Sequence, residues 1–142
     1  MSFVVQTARD LPVPPEVAFD RLADFSSWPD WMPASFRPHG NASGALSLGM
    51  RIEVLIDGLS GPAKLEVSRF QRPSEIAWRG GIPGVLSAEH RFVFDSDGAT
   101  RTRVTSIETW SGFLSFFARR LIERSSERVG GEQLDALARA VG

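Results

Sequence analysis

Between Met50 and Trp110 the apolar residues recur at every second position, in five separate stretches. Beyond Phe113 they recur every three to four positions. A period of two marks a strand with one buried face, and a period near 3.6 marks a helix with one buried stripe. The chain must therefore build an antiparallel sheet and cover one of its faces with a helix from its own C-terminal end. "MRIEVLID" places Ile52, Val54 and Ile56 on one side. "AKLEVSRF" turns Ala63, Leu65 and Val67 inward and Lys64 and Glu66 outward, and "EIAWRG" puts Ile76 with Trp78. "SAEHRFVF" and "TRTRVTSIETW" complete the series. The connections "DGLSGP" and "QRPS" are turn-like.

The fourth stretch carries an anomaly. Its apolar face reads Ala88, His90, Phe92, Phe94, so an imidazole sits among core residues. What faces it depends on the turn "DSDGA". A two-residue Asp97-Gly98 loop would pair Phe94 with Arg101 and Phe92 with Arg103, which buries arginines. An odd-length loop, such as three residues with a bulge, pairs Phe92 with Val104 and Phe94 with Thr102. A one-residue slip inverts every side chain, so burial selects the odd loop. Thr102, Val104, Ser106, Glu108 and Trp110 then share the face of His90.

The flanks are helical apart from a first strand, "SFVVQTARDL". In "PVPPEVAFDRLADF", Val13 before a proline is extended. Pro14 and Pro15 suit a helix entry, and Ala18, Leu22 and Phe25 share a face. "SSWPDWMP" reads as a second short helix with Ser27 as its N-cap, Asp30 three residues on and Pro33 as its stop. Residues 36–48 read as a loop with at most a short strand. The terminal helix has a stripe of Leu114, Phe117, Ala118, Leu121, Ile122, Ser125 and Val129. After Gly130-Gly131 the stripe moves to Leu134, Leu137, Ala138 and Val141. Two helix-interior glycines cost about 1 kcal/mol each against alanine. The shifted stripe therefore predicts a kink or break there, or two halves with different neighbours.

Composition removes several function classes. The 142 residues suit one domain, 1–142, large enough for a core and a cavity. A net charge of −1, with 16 basic against 17 acidic side chains, offers no field for nucleic acid. The charges of residues 119–128 alternate in sign, as on a solvated face. With no cysteine there is no disulfide and no thiolate site. His39 and His90 lie in different elements, which makes no zinc set, and no cofactor fingerprint is present. No apolar run approaches the roughly 18 residues of a membrane span. The N-terminus lacks a basic, apolar leader, so a cytoplasmic location without membrane insertion is the expectation. Tyrosine, a common pocket acid, is missing, while Phe and Trp number ten and four.

The order strand, two short helices, antiparallel strands, long helix now stands beside three local motifs: "PVPPEVAFDRLADFSSWPDWMP", "HRFVF" and "TRTRVTSIETWSG". Together they resemble the START-like (SRPBCC) superfamily, and within it the polyketide cyclase/dehydrase group of small bacterial proteins, over nearly the whole chain. "LADFSSWPDWMPAS" also resembles the quinone-binding branch. The resemblance implies an α+β helix-grip (START/Bet v 1-like) fold, a curved antiparallel sheet wrapped around the C-terminal helix. It also implies an apolar cavity between sheet and helix for a small hydrophobic ligand, lipid-, quinone- or polyketide-like.

The candidate site follows from the two readings together. His90 and Glu108 are the sharpest pair. They could be a hydrogen-bonded structural pair, a contact for a ligand's polar end with Ser106, or a proton-transferring couple in a cyclase or dehydratase. Trp28, Trp31, Trp78, Phe92, Val104, Trp110, Phe113 and Phe117 are candidate ligand-binding walls, with core packing as the alternative for each tryptophan and for Phe117. Phe116 falls off the stripe, as a portal residue, a contact of a homodimer or an exposed side chain. "GGIPGVL" is a lid or an ordinary turn. A protein-interaction module with a filled cavity is the remaining alternative.

Overall fold

Seven antiparallel strands form one sheet in the order β1-β7-β6-β5-β4-β3-β2 in a computed structural model that describes residues 2–142. They are β1 (Ser2–Leu11), β2 (Phe36–Pro38), β3 (Arg51–Ile56), β4 (Ala63–Gln71), β5 (Glu75–Ile82), β6 (Leu86–Ser96) and β7 (Thr102–Ser111). The curled sheet and the long C-terminal helix make the helix-grip arrangement. From β3 onward each strand pairs with the next through a short turn. The first strand instead closes against the last, and every residue of β1 has a partner on β7.

Two short helices follow β1. Helix α1 (Pro15–Ala23) starts on Pro15 after an extended Pro14 and buries Ala18, Phe19, Leu22 and Ala23. Proline at the first helical position loses no hydrogen bond and already has helical φ. A 3₁₀ turn (Phe25–Ser27) leads into α2 (Trp28–Trp31). The expected Ser27 N-cap does not form, because Ser27 is itself helical, with φ −85 and ψ −15. Its hydroxyl donates to the Asp24 carbonyl and accepts from the Trp31 indole instead.

The C-terminal region departs most from the expected pattern. The helix is broken at Ala118, not at the glycines: α3 (Phe113–Phe117) ends there and α4 (Arg119–Val141) runs unbroken through Gly130-Gly131. The glycines serve approach. A Cβ on Gly130 would lie 3.3 Å from the Ser106 hydroxyl and 3.6 Å from the Thr7 methyl, so the bare glycine lets α4 lie close over β1 and β7 without pressing on Ser106. The inward stripe is also different. Val129, Leu134 and Leu137 are buried, but Leu114, Phe117 and Leu121 of the expected stripe are exposed. The break at Ala118 disconnects their phase from that of α4.

The core lies on the inward face of the sheet. Leu11, Phe19, Leu22, Trp28, Val54, Val67, Ile76, Phe92, Val104, Leu134 and Leu137 are all fully or almost fully buried there. Aromatic rings interlock along it. Trp28 lies 5.4 Å from Trp78, Trp78 lies 5.1 Å from Phe92, and Phe36 stacks on Trp78 at 5.8 Å.

Candidate functional site: a buried acid–base pair beside an open cleft

The turn between β6 and β7 decides what His90 meets. Asp97 and Arg101 bond across a three-residue loop, so the loop is odd and the arginines stay outside. The pairing differs by two residues from the expected one. Phe94 faces Val104, Phe92 faces Ser106, and His90 faces Glu108 directly. A two-residue shift keeps every side chain on its face, so the face assignment holds while the partners change. The change tightens the site, because the imidazole and the carboxylate are cross-strand neighbours.

His90 has 6% of its side chain exposed and Glu108 12%. The imidazole Nδ1 lies 3.1 Å from Glu108 Oε1, and Nε2 lies 2.6 Å from the Ser106 hydroxyl. The other carboxylate oxygen, Oε2, accepts from the Trp110 indole N–H at 3.2 Å and from the Ser126 hydroxyl of α4. Two donors already occupy Oε2, so a proton on the carboxyl belongs on Oε1, against Nδ1.

Burial acts on both groups in the same sense, against charge. It pushes the Glu108 carboxyl up to about 7, the Trp110 hydrogen bond opposing weakly, and holds the His90 imidazole down at about 3. The pair is thus neutral or singly negative near pH 7, not an ion pair. Two hydrogen-bonding patterns satisfy it. With Glu108 protonated, Oε1–H donates to Nδ1 and Nε2–H donates to Ser106. With Glu108 ionised, Nδ1–H donates to Oε1 and the Ser106 hydroxyl donates to Nε2. The two patterns differ by one proton, which leaves the chain at the Ser106 end as the carboxyl proton passes to Nδ1, and neither pattern needs heavy atoms to move.

The remaining candidates divide into three groups. Trp28, Trp78, Phe92 and Val104 are between 0% and 2% exposed and pack as core. The Trp28 indole donates to the Leu22 carbonyl, and Trp31 is half-buried against Ser27. Trp110 is half-buried beside Glu108 and faces Ala88 across the strand pair. Phe113 and Phe117 are 54% and 79% exposed on α3, so Phe117 does not pack as core.

An open cleft of about 1370 Å³ runs along the ends of β3 to β7. Its walls join apolar residues of the inward rows (Phe25, Met50, Ile52, Leu65, Ala88) to charged ones of the outward rows. No residue of α4 lines it, and none of the eleven residues expected to contact ligand does. This cleft therefore lies at the strand ends, while aromatic side chains pack along the inward face beside His90. Ala88 is the link, because it lines the cleft and pairs with Trp110.

Sequence reasoning missed Ser126 and Gln133. Ser126 completes the Glu108 shell from α4. Gln133 is 2% exposed, and its amide has no hydrogen-bond partner among the described residues. Both lie on the inward stripe with Gly130, a signal hidden by the search for large apolar residues.

The curled antiparallel sheet and the long terminal helix define a helix-grip protein. The chain belongs to the family described as polyketide cyclase / dehydrase and lipid transport, which it matches over residues 2–142. A search of the curated proteins finds no match. Among solved structures it is similar to a hypothetical protein from Helicobacter pylori, 17% identical over 99% of this chain and 88% of that one, with a TM-score of 0.77. It is similar to an aromatase/cyclase from a Streptomyces species, 16% identical over 99% and 94% with a TM-score of 0.72. It is also similar to norcoclaurine synthase from Thalictrum flavum, 11% identical over 99% and 94% with a TM-score of 0.74. At these identities the likeness is one of fold.

Proposed function

We propose that the protein binds a small, mostly apolar molecule whose body lies along Ile52, Leu65 and Ala88 and whose polar end reaches Glu108 past Trp110. The observation that carries this is the Glu108–His90 pair itself. It is a carboxyl near pH 7 in its proton equilibrium, buried, shelled by donors, and two side chains from an open cleft. Buried ionisable groups with shifted proton equilibria concentrate at functional sites. Family membership supports a ligand-binding or cyclase role. Apolar burial would supply most affinity, at roughly 25 cal/mol per Å², and the carboxyl would select and orient the polar end.

The experiment is organic extraction of the purified full-length chain followed by mass spectrometry, with Glu108→Gln and His90→Ala beside the wild type. A retained apolar molecule bearing one hydroxyl or carbonyl is expected, with occupancy in Glu108→Gln lower by about tenfold, the worth of one hydrogen bond to a charged group. Equal retention by all three proteins removes the polar pair from the reading. The one-proton chain from Glu108 to Ser106 also favours a second reading, a cyclase or dehydratase in which the pair moves a proton. That reading requires turnover that collapses in Glu108→Gln while binding persists.

A further inference from the structure

One end of the molecule carries an apolar surface that the fold does not use. Phe113, Leu114, Phe116, Phe117 and Leu121 are between 43% and 79% exposed, and Ile82, at the end of β5 before the adjoining β5–β6 turn, is 65% exposed. These residues form one assembly. The Phe113 and Leu114 backbone N–H groups donate to the Gly84 and Val85 carbonyls, which fasten α3 to that turn. Gly112 makes the junction possible. Its φ is +99 and a Cβ there would meet the Val85 carbonyl oxygen at 2.4 Å. Soluble proteins seldom expose so many large apolar side chains together without a partner for them.

The charges beside the patch indicate the partner. At about 100° per residue, Arg120 and Arg124 both lie on one side of Leu121, roughly 100° and 60° round α4 from it, with the exposed Glu127 on the same arc, and Glu123 falls on the far side of the helix from Leu121. Glu123 is paired with Arg119, which sits over the Phe3 ring. Neither Arg120 nor Arg124 has a carboxylate within ion-pair distance among the described residues, and both are exposed. Phenylalanine and leucine bordered on one side by free arginines is the composition of a surface that settles into the headgroup region of an anionic bilayer. A second copy fits less well. A two-fold contact through this patch would bring the unpaired Arg120 and Arg124 of both chains into one interface.

We infer that α3, the start of α4 and the β5–β6 turn form a docking surface for an anionic lipid bilayer. Phe113, Phe116, Phe117, Leu121 and Ile82 enter the interface, and Arg120 and Arg124 meet phosphate. No helix among the described residues is long and apolar enough to cross a membrane, so the contact is peripheral. Pro83, next to Ile82, lines the cleft, so docking would bring the cleft's rim to the lipid surface. The docking rests on the surface alone and holds whatever the cleft binds.

Vesicle co-sedimentation of the full chain tests it, with phosphatidylcholine vesicles prepared with and without phosphatidylglycerol and no other ligand. Sedimentation with the anionic vesicles, weakening as salt rises, is expected. Phe117→Ser with Leu121→Ser should lower it by about tenfold or more. Arg120→Gln with Arg124→Gln should remove the anionic preference at roughly fivefold per arginine. Both variants change exposed side chains, and an unchanged thermal melt confirms that they fold. Three results would overturn the inference: no sedimentation of the wild type, equal binding to both kinds of vesicle, or a wild-type dimer that the Phe117/Leu121 variant converts to monomer.

Discussion

The molecule holds two aromatic clusters with opposite fates. Trp28, Phe36, Trp78 and Phe92 interlock on the inward face of the sheet and are nearly inaccessible. Phe113, Phe116 and Phe117 stand in solvent on a five-residue helix. As residue types they are alike, and both sets suggest walls of a ligand site. The difference is what each backbone is anchored to. The first set sits on strands and helices whose hydrogen bonds and packing leave one direction for the side chain. The second sits on a helix of little more than one turn, ended at Ala118, whose outward faces nothing in the fold covers. An aromatic side chain is thus evidence of a core only when its element has a fixed phase against the rest of the molecule.

Substitutions can break that contrast. Trp78→Ala should cost about 3–5 kcal/mol, because it empties a packed site next to Trp28, Phe36 and Phe92. Phe117→Ala should change stability by less than about 0.5 kcal/mol. Chemical denaturation of both variants is the check, and equal losses would mean that the second cluster is also structural.

The polar pair inside the first cluster makes a sharper test, because its two members oppose each other. The imidazole of His90 is held at about 3 in the folded chain against 6.5 when unfolded, so stability is lost as pH falls through that interval. The carboxyl of Glu108 is held at about 7 against 4.5, so stability is lost as pH rises through that one. Between 4.5 and 6.5 the two slopes offset, and the wild type should be nearly flat. Glu108→Gln leaves only the His90 slope. Relative to wild type it should gain about 3 kcal/mol between pH 4.5 and 7. His90→Asn should do the reverse and fall in stability over that range. Melting curves across pH read both, and parallel profiles for all three proteins would show that the pair does not hold the proton assigned to it.

The smallest effect concerns how closely α4 lies on the sheet. Gly131→Ala should stabilise by about 1 kcal/mol, since its Cβ would meet only the far end of the Arg9 side chain, at 3.4 Å. Gly130→Ala should gain less, or lose, because the neighbour there is the Ser106 hydroxyl bonded to His90. Equal gains would mean that the helix has slack over the polar pair.

Much of this site is legible in the linear pattern. His90 interrupts an apolar face, and the refusal to bury Arg101 and Arg103 is enough to put Glu108 on the same side. The register itself is not legible, since pairings two residues apart bury the same face equally well, and only the three-residue loop chooses between them. Ser126 and Gln133 escape because a small or polar residue on a helix looks like a solvated one until its neighbours are known. The glycine pair misleads for a related reason. In isolation it weakens a helix, and in the fold Gly130 lies close against Ser106 of β7, where a side chain would press on the polar pair.

Alternation of apolar residues, proline and glycine punctuation, and charge balance determined by themselves the strands, their order of appearance, the facing of their side chains and the placement of a helix after them. These are local properties, written at periods of two and about 3.6. Tertiary structure alone decided which strand-face residue His90 meets, where the C-terminal helix breaks, that the phenylalanines of α3 are left outside, and that open space lies at the strand ends. Each of those depends on the distance between segments far apart in the chain, and a distance of that kind leaves no period in the sequence.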